Sequence, residues 1–268
     1  MKKLLIVLSI CAIAVSSAFS FAGCNANSDY QAIKAKGYFV CGVTIYEPMS
    51  YTNDDGEMTG FDTDFANAVA EKLGLEAKFQ VINWSKNFVE LNSGAIDCIW
   101  NGFTVTEERS KNCDFSLSYM NNSQCVVVRS DTLASYPDAQ SLAGKKGVAE
   151  AGSAGFDYAT ELVGESGIVN GSSSQTAALL DLLAGQSDFA VIDLLMANSM
   201  VGNGDFTTLS KVTAFAPDPE EYAVGFRKNS DFKAMVDQAI KDLAADGTLM
   251  SIAQKYGLEN TVITEFGE

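Results

Sequence analysis

Gly60-Phe61-Asp62-Thr63-Asp64-Phe65, followed by Ala66, Val69, Ala70 and Leu73, is the stretch on which the fold turns. Its apolar residues Phe65, Ala66, Val69, Ala70 and Leu73 keep the i, i+3, i+4 spacing of a helix with one buried stripe. Asp62 stands where an N-cap belongs and Gly74 where a C-terminal cap belongs, so a helix is expected to open at Gly60-Phe61-Asp62. Upstream, Asn53-Asp54-Asp55-Gly56 is a turn cluster, and Tyr38-Phe39-Val40-Cys41-Gly42-Val43 is a β-rich run of strand length. Downstream, strands are expected over 77–82, 96–100, 126–129, 147–149, 189–192 and 223–226, with helices over 174–184, 194–200 and 231–245. Strands alternating with helices make an α/β fold with largely parallel sheets.

One pattern occurs twice. Leu91-x-x-Gly94-x-x-Asp97-Cys98-Ile99-Trp100 and Leu182-x-x-Gly185-x-x-Asp188-Phe189-Ala190-Val191 share a helix end, a glycine, an aspartate and an apolar strand. Two similar lobes explain the repetition better than one sheet. The residues after these strands, Asn101-Gly102-Phe103-Thr104 and Asp193, lie at carboxyl ends, where open α/β sheets bind ligands.

The N-terminus reads as an export signal over residues 1–23: Met1-Lys2-Lys3, an apolar run from Leu4 to Val15, then small residues. Phe21-Ala22-Gly23-Cys24 resembles a bacterial lipobox, which makes Cys24 the expected lipidation site and new N-terminus. Two acyl chains there would hold the protein at a membrane surface where one would not. The full chain carries 18 basic and 34 acidic residues, a net charge of −16, and loss of Lys2 and Lys3 with the signal makes it −18. That charge repels nucleic acid and anionic lipid, so neither is expected as a partner.

Histidine is absent, which removes the commonest general base, the commonest zinc ligand and every Ser/His/Asp or Cys/His relay. Beyond Cys11 and Cys24, the cysteines are Cys41, Cys98, Cys113 and Cys125, with no C-x-x-C pair. Cys41 and Cys98 lie in apolar strand-like runs and are expected to be buried thiols. Export permits disulfides, but spacing does not give a pairing. No metal and no cofactor is expected.

Several segments in order resemble the bacterial extracellular solute-binding proteins of family 3, the amino-acid-binding receptors of ABC importers. Gly60 to Phe65 with Val69-Ala70 and Leu73 is similar to that family's signature. So are Gly42 with Tyr46-Glu47-Pro48-Met49, Asp97 through Arg109, Asp114-Phe115-Ser116, Gly147-Val148 with Gly152-Ser153, Asp188 to Asp193, and Asp246-Gly247-Thr248 to Lys255-Tyr256-Gly257. The resemblance implies an α/β, two-lobed fold of the type II periplasmic-binding-protein kind, with two crossing strands as hinge. Lobe one would be residues 24–125 plus 222–268 and lobe two residues 126–221. The implied protein is a monomer anchored through Cys24 on the outer face of the cytoplasmic membrane, delivering a free amino acid to the transmembrane subunits of an ABC permease.

A free amino acid is a zwitterion, and burying it requires a cation for its carboxylate and an anion for its ammonium. Arg109 supplies a planar fork suited to a carboxylate. By spacing alone it reads more readily as a solvated helix-face arginine beside Glu107 and Glu108; the resemblance assigns it to the carboxylate. Asp193 is either a helix N-cap or, as the resemblance implies, the partner of the ammonium. Gly102 and Thr104 are placed beside both ends, Thr104 alternatively being a helix cap, and Ser153 is a second-lobe donor or a plain turn. Tyr46 and Trp84 match positions whose rings sandwich the ligand side chain. Asn101, Glu150 and Glu47 depart from the residues frequent in the family and border that side-chain pocket. Two added carboxylates and no spare cation favour a polar or cationic amino acid over an acidic one. Two other readings stand beside transport: an enzyme on the same fold, like the cyclohexadienyl or arogenate dehydratases, and a sensing module for a signalling partner. No matched pair of catalytic groups stands out, and transport without chemistry on the ligand is the expected function.

Overall fold

The computed structural model describes residues 28–267. The expected export signal and the lipobox at Cys24 lie outside the described residues. The chain begins with α1 (Asp29–Lys36), β1 (Tyr38–Val43), the short hairpin β2 (Tyr51–Thr52) and β3 (Met58–Thr59), α2 (Phe61–Leu73) and β4 (Glu76–Val81). It continues through α3 (Asn87–Ser93), β5 (Cys98–Ile99), α4 (Glu107–Ser110), β6 (Asp114–Phe115) and β7 (Met120–Asn122). A second unit follows with β8 (Gln124–Arg129), β9 (Lys146–Glu150), α5 (Ala154–Val163), β10 (Ile168–Ser172), α6 (Gln175–Leu183), β11 (Phe189–Asp193), α7 (Leu194–Met200) and β12 (Leu209–Lys211). The chain then returns through β13 (Glu220–Tyr222) and β14 (Gly225–Phe226) and closes with α8 (Phe232–Ala245) and α9 (Thr248–Lys255). Among these helices none is long and apolar enough to cross a membrane.

Two five-stranded sheets result, ordered β4-β1-β5-β14-β6 and β10-β9-β11-β8-β12. In each, three strands run parallel in the order second, first, third, as β4-β1-β5 and β10-β9-β11. The remaining strands are antiparallel: β14 to β5 and β6, and β8 to β11 and β12. The sheets are therefore less parallel than the alternation of strands and helices suggests. A strand arriving straight from the other lobe has no crossover helix behind it, and nothing forces it into parallel pairing. Between the sheets β7 and β13 pair antiparallel, with Glu220 opposite Asn122 and Tyr222 opposite Met120, and these are the two crossing strands.

The repeated sequence pattern is a repeated structure. Gly94 and Gly185 sit at positive φ, 79° and 70°, just after α3 and α6. Asp97 accepts the Val40 N–H of β1 at 2.8 Å, and Asp188 accepts the Lys146 N–H of β9 at 2.9 Å. Each aspartate ties the third strand of its lobe to the first. On α2 the stripe Phe65, Ala66, Val69 and Ala70 is buried, with Phe65 edge-on to Trp100 at 5.3 Å between centroids. The helix starts at Phe61 with Gly60 as N-cap, so Asp62 falls inside the first turn and its side chain is free for another task. Cys41, Cys98, Cys113 and Cys125 are buried free thiols, and Cys41 lies opposite Cys98 with their sulfurs 3.7 Å apart.

Candidate ligand-binding site

The carboxyl end of β5 builds one wall of a cavity between the sheets. Gly102 has φ 56°, and a Cβ there would come within 2.7 Å of the Tyr46 ring and 3.0 Å of Tyr222. Only glycine lets the backbone pass this close to two rings. The Gly102 N–H donates to Asp62 Oδ2 at 2.7 Å. Asp62 is fully buried, and burial pushes its carboxyl up to about 7 against the hydrogen bond from the Gly102 N–H. The aspartate expected as a helix cap thus holds the cavity-lining loop in place. Asn101 is buried, its side chain paired with the Thr44 hydroxyl at 2.9 Å.

Arg109 leaves α4 and turns inward. It is 8% exposed, stacked on Phe103 with its guanidinium carbon 4.8 Å from the ring centroid. Nη1 donates to the Thr104 carbonyl at 2.9 Å and Nη2 to the Gly152 carbonyl of the second lobe at 3.3 Å. Among the described residues no carboxylate lies within 4 Å of it. Burial depresses its pKa, but a guanidinium remains charged. The structure therefore does not place Arg109 on a solvated helix face. Thr106, not Thr104, caps α4. Trp84 is buried edge-on against Phe103, 5.6 Å between centroids.

The second lobe supplies the facing wall. β9 ends at Glu150, and Gly152, with φ 80°, brings the chain against Ser85 of the first lobe, where a Cβ would meet Ser85 Cα at 3.0 Å. Ser153 caps α5 by accepting the Phe156 N–H at 3.0 Å, so the positive end of that helix faces the cavity from Ala154. Glu150 is 3% exposed with Oε1 lacking any hydrogen-bond partner among the described residues. Burial, and secondarily Asp193, pushes its carboxyl up to about 8. Asp193 ends β11 and occupies the N-cap position of α7 without making a cap hydrogen bond. Its carboxylate instead accepts from Asn122 Nδ2 and Gln124 Nε2, both at 2.8 Å, and from Gln175 Nε2. Burial raises its pKa, and those hydrogen bonds, with one from Tyr222, hold it back.

Trp84, Asn101, Gly102, Thr104, Arg109, Glu150, Ser153 and Asp193 all line one narrow cavity, together with Ala154 and Gln175. Tyr46 does not line it. Its ring is buried beneath Gly102 and its hydroxyl is 2.9 Å from that of Tyr222. Glu47 is exposed and accepts from Ser199 Oγ at 3.2 Å.

A family model for bacterial extracellular solute-binding proteins, family 3, matches residues 39–259. The chain belongs to that family. It is 30% identical over 227 residues to the L-cystine-binding protein TcyJ of Escherichia coli K12, covering 84% of each chain. It is 26% identical to the arginine-binding extracellular protein ArtP of Bacillus subtilis, covering 96% of this chain and 98% of that one. A substrate-binding protein of an ABC uptake transporter from Streptococcus pneumoniae, solved with bound histidine, superposes with a TM-score of 0.78 at 30% identity, covering 86% and 96%. Within this family 3 chain, Ala154 and Gln175 are the lining residues that sequence reasoning missed, and Gln175 is the polar one. It donates to Asp193 and accepts the Asp193 N–H at 2.7 Å. An uncharged residue one position after a helix cap offers no signal of its own; Ser174 marks only the helix start.

Proposed function

We propose that this family 3 protein is the substrate-binding component of an ABC amino-acid importer, holding a free polar or cationic α-amino acid between its lobes for delivery to the permease. Arg109 and the N-terminus of α5 receive the α-carboxylate, and Asp193, steadied by three side-chain amides, receives the α-ammonium. Glu150, Asn101 and Trp84 face the ligand side chain. The observation that carries this reading is a buried arginine with no carboxylate within 4 Å among the described residues, lining the same cavity as a buried aspartate. Leaving a charge unpaired in a protein interior is costly, and a zwitterion answers both charges at once. The lobe limits, 24–125 with 222–268 and 126–221, and the lipid anchor at Cys24 belong to the same proposal.

Glu150 brings a second buried carboxylate into the cavity, and a cationic or donor side chain would satisfy its open oxygen. A binding screen of the twenty amino acids, run on the parent and on Glu150→Gln, tests this. Arginine, lysine, histidine or a polar amino acid should bind, and the variant should lose preference for cationic ligands by about tenfold. Tight aspartate or glutamate binding, or an unchanged preference in the variant, would contradict it.

A further inference from the structure

Glu220, on the returning crossing strand β13, is a carboxylate that the proposed clamp does not use. It lies opposite Asn122 of β7, so the hinge ladder fixes its position. Asn122 Nδ2 is 2.8 Å from Asp193 Oδ1 and 2.5 Å from Glu220 Oε1. Gln124 Nε2 is 2.8 Å from both of the same oxygens. Two neutral amides are thus shared between two carboxylates, one from the second lobe and one from the hinge. Among the described residues neither carboxylate has a lysine or arginine within 4 Å.

Two like charges held this close in a half-dry hinge cannot both be ionised without strong repulsion. The geometry points to Glu220 as a positioning residue for ligand capture, acting on Asp193 through the shared Asn122 and Gln124 amides and coupling capture to the release of a proton. Without ligand, the pair is relieved by one proton held between Asp193 and Glu220. When an ammonium group arrives at Asp193, its charge replaces that proton, which passes to solvent, and the net charge of the site is conserved. Burial, and then Asp193, holds Glu220 up to about 7, opposed by hydrogen bonds from Asn122, Gln124 and Thr104. The other ionisable groups facing the pair are Glu150 on β9, Arg109 on α4, Tyr46 before the β2–β3 hairpin and Tyr222 on β13 itself. Glu150 also titrates high, so the Glu220 share is read as the difference between parent and variant.

This inference rests on the amino-acid-binding reading, and calorimetry of the purified protein with its preferred amino acid separates the two. Titrations at pH 7 in phosphate and in Tris differ in apparent enthalpy in proportion to protons released. The parent should release protons on binding, and Glu220→Gln, which keeps the acceptor but loses the charge, should release fewer. The ratio of Kd at pH 5.5 to Kd at pH 7.5 should fall by about threefold or more in Glu220→Gln relative to the parent. Glu220→Ala, which strips the amides of their second acceptor, should bind about fivefold more weakly than Glu220→Gln at pH 7.5. Identical proton counts and pH ratios in parent and Glu220→Gln, no proton release in the parent, or equal affinity of the two variants would each overturn the inference. A parent that binds no free amino acid overturns the functional reading and this inference with it.

Discussion

Asp62 and Glu150 show at single residues what burial does to a carboxylate. Asp62 is held at about 7 and Glu150 at about 8, both first by burial. Their folded pKa values lie above the ordinary values of 3.8 and 4.5, so the folded state binds more protons than the unfolded state in between. Stability contributed at these sites is therefore fully present below the ordinary values of 3.8 and 4.5 and is lost as pH rises through about 7 to about 8, the reverse of a salt-bridged carboxylate. The ligand-free protein should melt several degrees lower at pH 8 than at pH 5, since one pKa unit is about 1.4 kcal/mol and about 1 kcal/mol moves Tm by roughly 2–4 °C at this size. Glu150→Gln should flatten that slope in a calorimetric melt series, and a parent equally stable at both pH values would contradict the burial of these two charges. At this scale the roles expected of Arg109 and Asp193 came from the family resemblance, since by spacing alone the one passes for a solvated helix-face arginine and the other for a helix cap. Gln175, Asn122 and Gln124 were not legible, because amides act only through what the fold brings next to them. Tyr46 matched a ligand-facing position by motif, yet the close approach of Gly102 puts its ring beneath the loop.

At the scale of elements, the boundaries of β1, α2 and α7 follow from local pattern: a β-rich run, an apolar stripe ended by Gly74, and a helix that starts straight after Asp193. α5 and β10 were not apparent. α5 contains Gly155 in its first turn, a weak helix former placed where the helix packs on β11, and a Cβ there would press on Gln124 Oε1 at 2.8 Å and on Val191 at 3.3 Å. The expected strand over 96–100 shrinks to Cys98–Ile99 because Asp97 spends its side chain on β1 and the chain turns away at Asn101. The duplicated aspartates also differ in load. Asp97 takes the Val40 N–H, Lys36 at 2.6 Å and Arg227 at 3.6 Å, whereas Asp188 takes the Lys146 N–H as its side-chain partner. Asp97→Ala should cost about 2–3 kcal/mol and Asp188→Ala about 1 kcal/mol in urea unfolding, because only the first also removes ion pairs, those with Lys36 and Arg227. Equal losses would show that the repeat is equivalent in energy as well as in form.

Over the whole molecule, two lobes of like topology meet across a charged cavity and are joined by the β7–β13 ladder. Two-lobed architecture was legible from the duplicated pattern and the family resemblance, while the antiparallel strand in each sheet follows from a chain that crosses twice. Contacts from Arg109 to the Gly152 carbonyl and from Ser199 to Glu47 already span the cleft. Export with a lipid anchor predicts that Cys24→Ser moves the protein from the membrane fraction to the soluble fraction, and a variant as firmly membrane-bound as the parent would contradict the lipobox reading. The proposed clamp is a property of both lobes together, with Arg109 from one and Asp193 from the other assigned to opposite ends of one amino acid. Breaking one partner of a buried charge pair costs on the order of 3–5 kcal/mol, and about 1.4 kcal/mol is tenfold in affinity. The most direct measurement is isothermal calorimetry of the preferred amino acid against the parent, Arg109→Ala and Asp193→Ala, with circular dichroism confirming that each variant is folded. Each substitution should weaken binding by about 100-fold or more; a folded variant of either residue that binds with parental affinity would contradict the clamp.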